Sequence, residues 1–262
     1  MSPELIHGFV MCFLAFLADT AKMTSTTLTK RGYNYYRATP DSSLVKQGES
    51  ISGSKKRKDR LTILLTANMT GSDLMKPLVI GTSKKPRCFK NVEFLPVDYQ
   101  ANKSAWMSSK IFTAWLSRID VRMRLNDRKI ALAMDHCPAH PSDARLIKIE
   151  LIPPPNTTSV IQPLDGGIIR CLKAHYRRLL MDKILQRLDA GLEDTAQESS
   201  KSISVLDALH LISKAWKRVS RETEQNFFHK YGFAPAGSSD DCAADEVDNL
   251  RLDPSFITRR RR

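Results

Sequence analysis

Lys129-Ile130-Ala131-Leu132-Ala133-Met134-Asp135 is an apolar run that ends on a carboxylate, and His136-Cys137-Pro138-Ala139-His140 follows it. Alternating small and branched apolar residues closed by an acid read as a buried strand that delivers Asp135 at its carboxyl tip. Twenty-odd residues on, Asn156-Thr-Thr-Ser-Val-Ile-Gln-Pro-Leu-Asp165-Gly-Gly167 leads into a long stretch with apolar residues at helical spacing. Asp165 is therefore expected at the start of a helix. Two oxygen-ligand side chains brought together from a strand tip and a helix suit a hard divalent cation and, with it, phosphodiester chemistry.

Working outward, Leu61–Ala67 and Lys76–Gly81 read as strands joined by the turn Thr70-Gly-Ser-Asp73, and Tyr33–Ala38 reads as a further strand before them. Ser50–Arg60 is a polar loop. Trp106–Leu125 carries Ile111, Trp115, Ile119 and Met123 at steps of four, one apolar face of a helix that Ser108 or Ser109 begins. Ile130–Met134 and Ile147–Ile152 are strands. The helix after Asp165 turns Ile169, Leu172, Tyr176, Leu180, Ile184 and Leu188 inward and ends at Gly191. Val205–Trp216 and Arg221–Tyr231 are further helices.

Several blocks together resemble the pogo/Tigger-like transposases of the mariner superfamily: YYRATPDSSL from Tyr35, RLTILLTANMTGSDLMKPLVIGTSKKPRCFKN from Arg60, AWMSSKIFTAWL from Ala105, ALAMDHCPAH from Ala131 and PPPNTTSVIQPLDGGIIRCLKAHYRRLL from Pro153. The resemblance runs from about Asn34 to about Tyr231. It implies an RNase H-like (integrase-type) α/β fold, a mixed sheet flanked by helices with a C-terminal helical extension. It also implies a DDE-type endonuclease domain using Mg²⁺ or Mn²⁺, with the second and third acids at Asp135 and Asp165 as catalytic and metal-binding residues. The family's first acid lies in an Asp-Glu-Thr-Gly stretch shortly before the block that begins here at Tyr35. This chain has Thr29-Lys-Arg-Gly-Tyr-Asn34 there, with no carboxylate. Lys30 or Arg31 would put positive charge where cations belong; Asp41 belongs to the turn downstream, and Asp19 lies well upstream.

The expected organisation is a non-matching apolar segment at 1–29, the DDE-type domain without its first acid at 30–192, a helical extension at 193–232 and a disordered tail with a terminal basic run at 233–262. Leu5–Ala18 is short for a membrane span, which needs about 20 residues, and Met1-Ser-Pro-Glu4 lacks the positive charge of a signal peptide. It reads as an amphipathic or buried helix, or as sequence foreign to the ancestral protein. The helix-turn-helix modules that precede the family's catalytic domain have no counterpart here.

The 262-residue chain is 42% apolar, enough for a substantial core, and its formal charge of +13 favours a polyanionic partner. Its 5 cysteines show no Cys-x-x-Cys spacing, which fits a reducing compartment and gives neither a disulfide framework nor a zinc site. The charge clusters at Lys55, Lys56, Arg57 and Lys58, at the terminal Arg259–Arg262, and on the helix after Asp165, where Arg170, Lys173, Arg177 and Arg178 form a basic side. Each run fits phosphate contacts or a plain solvated surface, and the loop and terminal runs also fit nuclear import. Trp106, Trp115 and Trp216 fit base stacking or, at helical spacing, the core.

These observations predict a nuclear, DNA-partnered, transposase-derived protein without a membrane span, able to form a homo-oligomer, whose endonuclease domain is degenerate. Two alternatives stay open: a fragment of an active transposase whose first acid and helix-turn-helix modules are missing here, and a domesticated scaffold for DNA or protein contacts, as in centromere protein B-like relatives.

Overall fold

The structure, a computed structural model, describes residues 9–16, 42–46, 60–68, 70–133, 146–152, 158–191, 199, 202–230 and 256–260. Along the chain these form β1 (Phe9–Phe16), β2 (Ser42–Lys46), β3 (Thr62–Asn68), β4 (Leu78–Gly81), β5 (Asp98–Ala101), α1 (Ser109–Leu125), β6 (Ile130–Ala133), β7 (Ile149–Ile152), α2 (Thr158–Asp189), α3 (Val205–Trp216), α4 (Arg221–Lys230) and β8 (Phe256–Arg260). Six strands make one mixed sheet in the order β5-β4-β3-β1-β6-β7. β3 is antiparallel to both β1 and β4, whereas β6 runs parallel to β1, β7 to β6 and β5 to β4.

The period-two alternation of strand side chains divides the apolar residues between two layers. Ile63, Leu65, Ala67, Val79 and Ala131 face α2 and α3, where Leu172, Tyr176, Leu180, Ile184, Leu209 and Ile212 complete one core. Leu64, Leu78, Ile80, Ile130 and Leu132 face the other way, onto Phe112, Trp115, Leu116, Ile119 and Met123 of α1. Both faces of the sheet are covered, so β3 is buried along its whole length. The mixed α/β architecture with flanking helices is as the pattern predicts.

Local chemistry fixes the helix ends. Ser108 caps α1 by accepting from the backbone N–H of Ile111, and α3 opens on a capping box in which Ser204 and Asp207 satisfy each other's backbone N–H groups. Gly191, with φ +65°, closes α2 in the left-handed conformation expected of a glycine there. Trp115 and Trp216 are core residues, the latter with its indole N–H donating to the Met75 carbonyl at 3.0 Å, and Trp106 is half-buried.

Four features differ from the expectation. The apolar N-terminal segment, read as an amphipathic or buried helix or as sequence foreign to the ancestral protein, supplies β1, an interior strand of the six-stranded sheet; a run apolar on every residue carries no period and suits either element. The stretch read as a disordered tail supplies β8, which pairs antiparallel with β2 in a two-stranded sheet. β5 went unforeseen, because Asp98-Tyr-Gln-Ala101 is a polar edge strand with no apolar run. Finally, α2 begins at Thr158, so Asp165 lies about two turns inside the helix and not at its start. Tyr33–Ala38 falls outside the described residues. Among the described residues no helix is long and apolar enough to cross a membrane.

Candidate acid site and basic surface

β6 and β7 are parallel, so both leave the sheet at the same end, and the chain passes from that end of β6 toward Asp135 and from that end of β7 into α2. This is the arrangement by which a strand tip and a helix can share a site at the carboxyl edge of a sheet. Asp135, His136, Cys137 and His140 lie outside the described residues, as do Asp19, Asp41 and Lys55–Lys58. Asp165 is placed by its backbone within α2.

β1 is the strand that flanks β6 on its other side, in register with Met11 opposite Ala133. A strand in that place is where a third strand-borne ligand for a cation beside Asp135 would come from. β1 reads Phe-Val-Met-Cys-Phe-Leu-Ala-Phe and offers no carboxylate, amide or imidazole. A thiol such as that of Cys12 is a soft ligand, ill-matched to Mg²⁺ or Mn²⁺. Thr29–Asn34 also lacks an acid, so neither stretch supplies a further carboxylate of the kind a two-metal centre uses to hold both ions.

The basic side predicted for α2 is built. Arg170 and Arg178 are exposed, and Lys173 and Arg177 are half-buried with their stems against the helix packing. His175, on the same helix, is held below the usual imidazole range by burial first, and then by the guanidinium groups of Arg218 and Arg178. Arg218, from the turn after α3, therefore adds to the positive field of α2. Sequence reasoning had no means of including Arg218, since it is separated from α2 by the whole of α3. By contrast the cations around α1 are matched by acids: Arg118 with Asp98, Arg122 and Arg128 with Asp73, Arg124 with Asp120 and Lys148 with Asp127.

Two buried acids away from the strand tips had no sequence signal. Asp120, on the inner side of α1, accepts from the backbone N–H groups of Ile147 and Lys148 at 3.0 and 2.8 Å and pairs with Arg124 at 3.2 Å. It anchors the segment entering β7. Glu224, on α4, is fully buried and neither carboxylate oxygen has a hydrogen-bond partner; burial, only partly opposed by Arg221, pushes its carboxyl up to about 7. It lies close enough to Cys171 of α2 to raise that thiol, which burial raises more.

Residues 58–228 of this mixed α/β chain match the family described as DDE superfamily endonuclease, and the chain belongs to that family. Within it the chain is pogo/Tigger-like and transposase-derived. It is 36% identical over 219 residues to Tigger transposable element-derived protein 4 of Mus musculus, covering 83% of this chain and 41% of that protein. It is 38% identical over 136 residues to the Jerky protein homolog of Homo sapiens, covering 47% of this chain and 24% of that one. Major centromere autoantigen B of Homo sapiens is 29% identical over 177 residues, or 66% of this chain and 28% of its own length. The chain thus spans about two fifths or less of these relatives. No solved structure matches it.

Proposed function

We propose that the chain is a transposase-derived nucleic-acid-binding protein whose endonuclease domain has lost strand cleavage. The observation that carries this reading is the sequence of β1, the parallel neighbour of β6, which holds no carboxylate from Phe9 to Phe16. The strand order β4-β3-β1-β6-β7, three antiparallel strands followed by two parallel ones, supports an RNase H-like sheet with β5 added at its edge. The ancestral reaction would have cut and joined DNA strands with Mg²⁺ or Mn²⁺ between Asp135, Asp165 and the first acid. Here Asp135 and Asp165 remain, and the binding function is retained without the chemistry.

Arg170, Lys173, Arg177 and Arg178 on α2, with Arg218 beside them, support contact with a DNA backbone by charge rather than by base reading. Lys55–Lys58 and the terminal arginines, as basic runs in the sequence, support a nuclear location. The test is supercoiled plasmid incubated with the full chain and Mg²⁺ or Mn²⁺. The expected result is plasmid that stays supercoiled. Nicking that requires the metal and disappears in Asp135→Ala would overturn the loss of cleavage.

A further inference from the structure

We propose that the loop leaving β4, through Lys84, Lys85, Arg87 and Lys90, is a preformed seat for the phosphate backbone of duplex DNA, distinct from the basic side of α2. The proposal rests on the nucleic-acid-binding reading above and names a second contact surface for it.

Placement is the first argument. β4 is antiparallel to β3 and β3 to β1, so β4 runs with β1 and β6. The loop after Gly81 accordingly leaves the sheet at the end from which the chain leaves β6 toward Asp135 and at which α2 begins. Two strands, β3 and β1, lie between β4 and β6, which are therefore three strand steps apart. At about 4.8 Å per strand step the two strands are roughly 14 Å apart, a span that one duplex lying across this edge covers.

Charge is the second. Residues 82–97 carry Lys84, Lys85, Arg87 and Lys90 against one acid, Glu93, a net +4 − 1 = +3. All four cations are exposed. Among the described residues none of them is in an ion pair, whereas Arg118, Arg122, Arg124, Arg128 and Lys148, in and around α1, are paired with Asp73, Asp98, Asp120 and Asp127. Unpaired, solvated cations in a row are the groups whose association with phosphates releases counterions at least cost, because no internal ion pair has to be broken.

Rigidity is the third. The Tyr99 hydroxyl donates to the Ser83 carbonyl at 2.8 Å, and the Phe89 ring meets the Tyr99 ring edge-on at 5.0 Å and 79°. Pro86 starts a single 3₁₀ turn over Arg87–Phe89, closed by Phe89 N–H to Pro86 and Lys90 N–H to Arg87. Asn91 then takes the left-handed conformation, φ 61°, that asparagine tolerates better than most residues. Asn102 N–H to Gly81 and Asp98 N–H to Pro77 tie the loop's two ends through the β4–β5 pair. A solvent-facing loop held at so many points presents its charges in a fixed pattern, and a partner meets them without having to order the backbone. Phe94, 85% exposed, adds an apolar surface beside the charges.

The experiment measures binding of the full chain to a fluorescent duplex of arbitrary sequence by anisotropy across a salt series, for wild type and two variants of equal charge. One replaces Lys84, Lys85, Arg87 and Lys90 with Gln. The other does the same to Lys76, Lys129, Lys214 and Lys217, exposed cations away from the loop. Since each phosphate contact contributes about 0.9 to the slope of log K against log salt, the loop variant is expected to flatten that slope by about 3 to 4, and the control by less than about one. Equal changes in the two variants would overturn the seat, because bulk charge would then explain the binding. A loop variant that binds like wild type would also overturn it while leaving the binding function standing, and loss of nuclear import by that same variant would assign the loop to a transport receptor. Wild-type chain that binds no duplex even at the lowest salt would remove the nucleic-acid-binding reading itself and the DNA seat with it.

Discussion

At the scale of single residues, two buried carboxylates among the described residues sit in opposite surroundings. Glu224 illustrates the cost of a buried charge without a partner. Its carboxyl ordinarily titrates at 4.5 and in the fold at about 7. The folded state therefore holds the proton more tightly, so the penalty is absent below the unfolded value, grows as pH rises through this window and is complete above about 7. Glu224→Gln should match wild type in urea unfolding near pH 4 and exceed it at pH 8 by about 3 kcal/mol. A stability difference that does not vary with pH would contradict this. Asp120 is the opposite case, a buried acid with both oxygens engaged. Its replacement by Ala strands the N–H groups of Ile147 and Lys148 and should cost about 2 to 3 kcal/mol in the same assay. Neither role was legible in the sequence, because the partners of Asp120 lie across α1 and β6, and Glu224 meets its surroundings only when α4 packs on α2. Asp135 and Asp165 were candidates from the sequence, since each ends or enters a long apolar pattern.

At the scale of elements, periodicity was a sound guide wherever it was strong. The inward residues read on the helix after Asp165, Ile169 through Leu188, are all buried, and α1 buries Trp115, Ile119 and Met123 as spaced. Where the pattern was uniform or weak it misled. β1 has no polar residue to reveal a period of two, and β5 is held by parallel pairing to β4 rather than by apolar content. Asp165 was placed at the start of a helix because helical spacing of apolar residues follows it, yet α2 begins at Thr158 and runs through Pro163 and the Gly166-Gly167 pair. Glycine at position 81 has a different office: a Cβ there would come within 2.1 Å of the Tyr99 hydroxyl. Gly81→Ala should displace the Tyr99 ring, release Ser83 and speed hydrogen exchange across residues 83–92, with exchange in α1 unchanged. Ser108→Ala, which removes the cap of α1, should lower stability by about 1 kcal/mol and leave that loop as it is.

At the scale of the whole molecule the net charge is +13, and among the described residues Arg118, Arg122, Arg124 and Arg128 are paired with acids while further cations stand on α2, on the turn bearing Arg218 and on the loop after β4. The sheet directs two of these features, the loop and the start of α2, to the edge toward which Asp135 leads. Such a distribution suits a surface that holds DNA by its backbone, and it predicts binding that weakens steeply as salt rises and varies little with base sequence. Among the described residues, β1 brings no acid to that edge. The most direct test therefore scores both properties in one sample: a labelled duplex is saturated with the full chain in Mg²⁺ or Mn²⁺, the complex is isolated, and its strands are run under denaturing conditions. The account predicts DNA that is bound and intact. Bound DNA cut in a metal-dependent way, and left whole by Asp135→Ala, would contradict it.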